Sequence, residues 1–215
     1  MKSVLLIGLG RYGYNVAVKL HDLGHDVLAI DKSEKRVNAA LPVVTDAQIG
    51  DATDADLLKS LGIKNFDVCI VAIGNDFQSS LEITSLLKEH GAPLVVARAS
   101  SDLQEKLLKK IGADEVVYPE KQLGDWTAIR YTSDHVTDYI EIDSDYSIFE
   151  VTVPDVWKGK TLGELDVRKK YGINVLGVKE NGKIDFAISA GCMLDGDKTL
   201  MVLGKFKDLK KCFKI

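Results

Sequence analysis

Over the first 120 residues the apolar positions fall in short, nearly unbroken runs, at 3–7, 26–30, 43–49, 67–73, 93–97 and 115–118. Runs of that length without strict alternation predict strands covered on both faces. Helix-like segments lie between them, and four of these end in glycine: Gly24, Gly62, Gly91 and Gly112. A glycine there supplies the left-handed residue that closes a helix C-terminus. Helix starts are marked by Thr53-Asp54-Ala55-Asp56 and Asn75-Asp76-Phe77-Gln78, which both read as capping boxes. Strand and helix taking turns six times predicts parallel βαβ units with right-handed crossovers, hence an α/β fold with a doubly wound parallel sheet.

The pattern changes after Glu120. A helix is expected over 121–132, followed by the polar joint Ser133-Asp134-His135. Strands are then expected at 139–142 and 148–153, a short helix at 162–167, strands at 174–178, 184–188 and 199–203, and a last helix at 207–213. Asn181-Gly182 between two of these strands is a hairpin signal. The chain therefore divides into a first domain, 1–133, and a smaller α+β domain, 134–215.

Composition narrows the function classes. Hydrophobic residues make up 46% and charged residues 28% of the 215, the balance of a globular protein with its own core. A formal net charge of −4 argues against a general binder of nucleic acid or lipid surface. Residues 136–215 carry 13 basic and 13 acidic residues, so the surplus acid belongs to the first domain. The lysine-rich end reads as a solvated helix face. No apolar run approaches the ~18 residues needed to cross a bilayer. The N-terminus runs straight into a strand rather than a signal peptide. Cys69, Cys192 and Cys212 stand far apart without metal-ligand spacing, which suits a reducing cytoplasm.

The chemistry concentrates at the ends of the predicted strands. Gly8-Leu9-Gly10-Arg11-Tyr12-Gly13 follows the first strand and opens the first helix. In that context Gly8 makes the turn, Gly10 lets backbone approach a phosphate and Gly13 lets helix and strand pack closely. The helix N-terminus then offers free N–H groups to an anion. Asp31 ends the second strand with Lys32 and Ser33 beside it. A carboxylate there can accept from both ribose hydroxyls and repels a 2′-phosphate, which points to an adenosine-type nucleotide rather than NADP; the other reading of Asp31 is a helix cap. Gly50-Asp51-Ala52-Thr53 and Ala72-Ile73-Gly74-Asn75 follow the third and fourth strands, at the edge where such folds bind ligands. Asp51 is placed to accept from an adenine amino group, and Thr53 reads as a cap. Arg98 ends the fifth strand and is read either as a ligand contact or as half of a buried ion pair. Arg11, in the variable slot of the glycine loop, is either a cation for a polyphosphate or a solvated surface residue.

A dehydrogenase needs an acid or base over its nicotinamide. No tyrosine here has a lysine four residues on, and the histidines fall at helix ends or in the joint. The chain is therefore read as a nucleotide sensor and not an enzyme, with an NAD-dependent oxidoreductase as the alternative. A redox-sensing transcription factor needs a basic recognition helix, which the neutral second domain does not offer.

These residues also resemble a known family. Ile7 to Gly13, Ala29-Ile30-Asp31, Gly50 to Thr53, Val71 to Gly74 and Gly112-Ala113-Asp114 with Tyr118-Pro119-Glu120 occur in the order found in the cytosolic regulatory subunits of Trk/Ktr potassium-uptake systems, which carry RCK domains. The resemblance implies a Rossmann N-terminal lobe that binds ATP or ADP, and in some members NAD or NADH. It implies homodimers assembled as an octameric ring beneath a membrane-embedded potassium channel subunit, so a cytoplasmic protein held to the inner face of the membrane through that partner. Arg11 matches an arginine that reaches the γ-phosphate region in a neighbouring subunit. Glu120 matches a glutamate that takes part in binding a divalent cation, Mg²⁺ or Ca²⁺, beside ATP. In the second domain Arg168, Ile173 and Asn174 match positions that contact cyclic di-AMP in several relatives. Those relatives carry Ser-Pro where this chain has Ser189-Ala190.

Overall fold

The computed structural model describes Met1–Ile215, and the chain divides into two compact units, Met1–Lys121 and Gln122–Ile215. The division falls inside a helix, Pro119–Thr132, one turn in from its start. The sequence pattern alone places the border after that helix, at the polar joint Ser133-Asp134-His135.

In the first unit β1 (Ser3–Ile7), α1 (Arg11–Asp22), β2 (Asp26–Asp31), α2 (Glu34–Ala40), β3 (Asp46–Ile49), α3 (Ala55–Ser60), β4 (Val68–Val71), α4 (Phe77–Glu89), β5 (Val95–Arg98), α5 (Asp102–Lys110) and β6 (Glu115–Val117) alternate without exception. The strands form one parallel sheet in the order β3-β2-β1-β4-β5-β6, which reverses direction between β1 and β4. Helices cover both faces, and each face has its own core. Leu5, Ile7, Val71 and Ile83 belong to one, and Val4, Leu6, Ala17 and Val27 to the other. The nearly unbroken apolar runs of β1, β2 and β4 follow from this double burial.

The expected third strand, 43–49, is shorter by three residues. Pro42 ends α2 in a single 3-10 turn, Leu41–Val43, and pairing with β2 begins only at Asp46. The two helix starts also shift by one residue. Asp54 and not Thr53 caps α3, its carboxylate accepting from the Asp56 and Leu57 N–H groups, while Asp76 caps α4 through Ser79. Aspartate competes better for that position because its charge is opposed to the helix dipole.

The second unit takes in most of α6 (Pro119–Thr132) and then β7 (Val136–Glu141), β8 (Tyr146–Thr152), β9 (Lys160–Thr161), α7 (Leu162–Leu165), α8 (Val167–Tyr171), β10 (Asn174–Glu180), β11 (Lys183–Asp185), β12 (Met193–Leu194), β13 (Thr199–Lys205) and α9 (Phe206–Phe213). Five strands form an antiparallel sheet, β11-β10-β13-β8-β7, and β9 pairs with β12. The core is built on Phe149, Val151, Trp157, Val202, Leu209 and Phe213. Asn181 and Gly182 both have positive φ, 50° and 78°, and join β10 to β11 in the expected hairpin. The helix expected at 162–167 is broken by Asp166, at φ 43°, into α7 and α8. Its capping box, Thr161 with Glu164, is formed in full. β11 stops short of the expected 188 because the Asp185 carboxylate accepts from Ala187 N–H and turns the chain.

Candidate functional site

A cleft of about 690 Å³ opens where the strand order reverses, between the ends of β1 and β4. Sites of ligand binding in open α/β sheets lie at that point. Its floor is the glycine loop, and the three glycines differ in what they do. Gly8 takes φ +96°, a conformation that disfavours any side chain, and donates its N–H to Ile30 O at 2.8 Å. Gly13 is buried, and a Cβ there would run into the Gly8 carbonyl. Gly10 faces open space and stands at the N-cap of α1 without a side-chain acceptor. The first turn of α1 contains no acid either, whereas α3, α4 and α5 each begin on a side-chain cap. The first N–H groups of α1 are thus offered to the cleft.

Asp31 ends β2 almost wholly buried, with its side chain 6% exposed. Its two oxygens accept from the Leu9 N–H at 2.7 Å and the Ser33 N–H at 2.8 Å. The carboxylate therefore ties the glycine loop to the start of α2 at the lining of the cleft. Ser33 sits at the N-cap of α2 but makes no side-chain cap bond. Arg36, which the sequence reading overlooked, lines the cleft and approaches Asp31 at 3.5 Å. Its signal was a lone arginine in the first turn after the acidic strand end.

Lys32 lines the cleft and pairs with Asp51 at 3.0 Å. Asp51 also accepts from the Thr53 hydroxyl at 2.7 Å and N–H at 3.0 Å. Those two bonds, with Lys32 adding to them, hold its carboxyl below the usual range. Gly50 and Ala52 on either side line the cleft, and Asp51 itself is turned to Lys32 and Thr53. Ile73, Gly74 and Asn75 form the opposite wall, followed by the α4 cap Asp76. Arg11 is exposed at the first helical position and also borders the cleft.

Arg98 reaches back from the end of β5. Its guanidinium lies against Gly74, where a Cβ would overlap it, and 5.4 Å from the centre of the Tyr12 ring. It forms an ion pair with Glu120, the second residue of α6. Burial raises the Tyr12 hydroxyl pKa above its ordinary value, against the lowering effect of Arg98, with Glu120 adding to the rise. The structure thus brings together the glycine loop, Tyr12, Asp31, Lys32, Gly74, Arg98 and Glu120 around one cavity.

It does not bring the second-unit residues together in the same way. Arg168 is exposed on α8, and Ile173 is fully buried against Gly204. Asn174 opens β10 opposite Leu203. None of the three lines the second unit's own cavity, about 360 Å³ between α6, β7 and β8.

The TrkA-N domain family model matches residues 4–119 of this chain. The Ktr system potassium uptake protein C of Bacillus subtilis (strain 168) is 37% identical over 98% of this chain and 95% of that protein. The Ktr system potassium uptake protein A of the same organism is 38% identical over the same shares. Among solved structures, the GsuK RCK domain superposes with a TM-score of 0.70 at 20% identity, over 99% of this chain and 47% of that one. This chain therefore spans less than half of that structure, and the likeness is one of fold. The Kef CTD of Shewanella denitrificans, solved in AMP-bound form, superposes with a TM-score of 0.53 at 25% identity, over 60% of this chain and 79% of that one. No helix of the present chain is long and apolar enough to cross a membrane.

Proposed function

The chain belongs to the TrkA-N domain family, beside the Ktr potassium-uptake proteins, and on that premise we propose that it is the nucleotide-sensing regulatory subunit of a potassium transporter. The observation that carries the reading is the cleft at the reversal of the sheet. It joins an uncapped helix N-terminus, a glycine with open space before it and a buried carboxylate at the end of β2. Its volume is in the range of small-ligand sites.

The ligand is ATP or ADP, with NAD or NADH as further members of the class. The glycine loop holds phosphate, Asp31 the ribose, and Ile73 to Asn75 close the other side. Arg11 supplies the charge that separates ATP from ADP. Glu120 fits a divalent cation only as a single carboxylate, since no group of three acidic, histidine or cysteine side chains gathers there. A Mg²⁺ or Ca²⁺ ion on Glu120 would take its other ligands from phosphate and water, and would relieve the repulsion between the two anions. Regulation follows from differential affinity: a ligand shifts a two-state equilibrium only as far as it prefers one state.

The protein acts as a homo-oligomer, a dimer or a ring of dimers, in the cytoplasm, and meets the membrane through its channel partner. The second unit is its regulatory and dimerisation lobe. Cyclic di-AMP would meet Arg168 and Asn174 in that lobe, without Ile173, which is sealed in the core.

The test is potassium flux into vesicles that hold the cognate channel, with this chain added under ATP and then under ADP. Different fluxes are expected. Equal fluxes, with binding to protein-free liposomes, would overturn the reading.

A further inference from the structure

Arg98 and Glu120 meet at the wall of the cleft, but their surroundings are unlike. The Arg98 side chain is 16% exposed, and its Nε–H is buried without an acceptor. The Glu120 side chain is 55% exposed. A guanidinium so largely buried calls for an anion beside it, because the charge is costly to leave unpaired away from water. A carboxylate more than half in solvent can be released at little cost. Gly74 provides the space in which the guanidinium lies, and the Tyr12 ring backs it, so the head group is held at the cleft wall. The ion pair engages one terminal nitrogen, and further N–H donors of the fork remain for an oxyanion.

We propose that Glu120 and a phosphate group of the bound nucleotide compete for Arg98, so that phosphate binding releases Glu120, and with it the first turn of α6, to take a cation. The proposal rests on the nucleotide reading above and adds its regulation. A phosphate outcompetes a single carboxylate because it carries more charge and offers more oxygens to the planar fork. A divalent cation and a guanidinium on one carboxylate repel each other. Cation binding at Glu120 and phosphate binding at Arg98 therefore assist one another, and by linkage they do so by the same factor in both directions. Gly74 is part of the device, since any side chain there displaces the guanidinium.

The experiment is a double-mutant cycle on the full chain, with ADP affinity measured by calorimetry in the presence of a chelator. E120Q removes the competitor, and is expected to tighten ADP by about two- to fivefold, the range of a partly exposed ion pair. R98Q is expected to weaken ADP by tenfold or more, the size of a lost charge-assisted contact. In R98Q/E120Q the gain from E120Q should vanish, because there is no longer anything to compete for. If E120Q has no effect or weakens ADP, the competition is overturned. A gain of the same size in the R98Q background also overturns it, since it would reflect only the removal of a nearby negative charge. If the wild-type chain binds no ADP, the nucleotide reading itself falls. A second readout needs no variant: hydrogen exchange in the first turns of α6 should quicken with ADP and chelator, then slow again when Mg²⁺ is added. Unchanged exchange there on adding ADP overturns the release of Glu120.

Discussion

At the residue scale the informative side chain is Asp31. Its carboxylate accepts from the Leu9 and Ser33 N–H groups, so it shapes the glycine loop whether or not a ligand is bound. Asp31→Ala leaves buried donors without partners and is expected to lower stability by about 2 kcal/mol or more. A urea titration checks this through a lower midpoint at unchanged slope. The same variant should weaken ADP, and a large loss of stability with unchanged ADP affinity would confine Asp31 to the loop. Under the proposed nucleotide reading, Arg36 would modify what this carboxylate does to a 2′-phosphate. It stands 3.5 Å from Asp31, and in the proposed nucleotide pose it would offset part of that repulsion. Arg36→Ala is therefore expected to widen the preference for NAD over NADP, which competition binding of the two measures. The glycine motif was legible in the sequence because spacing and position after a strand determine each glycine's task. The loop-clamping bonds of Asp31 were not, since they depend on how close β2 comes to the turn after β1. Nor could the sequence choose between the two readings of Arg98. Its partner is 22 residues on, and the contact exists only because Gly74 leaves room for it.

At the scale of elements, alternation gave every helix and strand of the first unit, because doubly covered strands and glycine-closed helices leave strong local marks. The boundaries moved where one residue overrode the pattern, at Pro42, Asp54 and Asp166. The tiny β9–β12 ladder escaped because two residues a side carry no period. One side chain holds three elements together. Asp114, just before β6, accepts from the Val95 N–H of β5 at 2.7 Å and from Lys88 Nζ of α4 at 2.9 Å. Burial acts against its charge as the largest single influence. The Val95 N–H and Lys88 together outweigh it and hold the carboxyl below the usual range. A depressed carboxylate contributes stability that is complete above the unfolded-state pKa, about 3.9, and is lost as the pH falls through the lower folded value. Asp114→Asn should therefore destabilise the protein at pH 7 and cost progressively less below pH 4. Urea midpoints of wild type and variant across that range test it. A constant gap between them would mean that the hydrogen bonds matter and the charge does not.

At the scale of the whole molecule, the cleft and every residue proposed to hold the nucleotide lie between Ile7 and Glu120, within the first compact unit. The second unit has a separate core and its own sheet. A ligand that binds only the folded form adds stability by mass action, about 2.7 kcal/mol at a hundred times its Kd. That gain belongs to whichever part must be folded for the site to exist. Saturating ADP is therefore expected to slow hydrogen exchange throughout β1, β2, β4 and β5, whose amides open only when the first sheet opens. Exchange in β8 and β13, at the centre of the second sheet, should stay where it was. The gain in the first sheet should grow with the logarithm of ADP concentration and disappear in Asp31→Ala. Equal protection of both sheets would mean that the two units open as one, and the second lobe would then be tied thermodynamically to the nucleotide rather than reporting on it through a separate equilibrium.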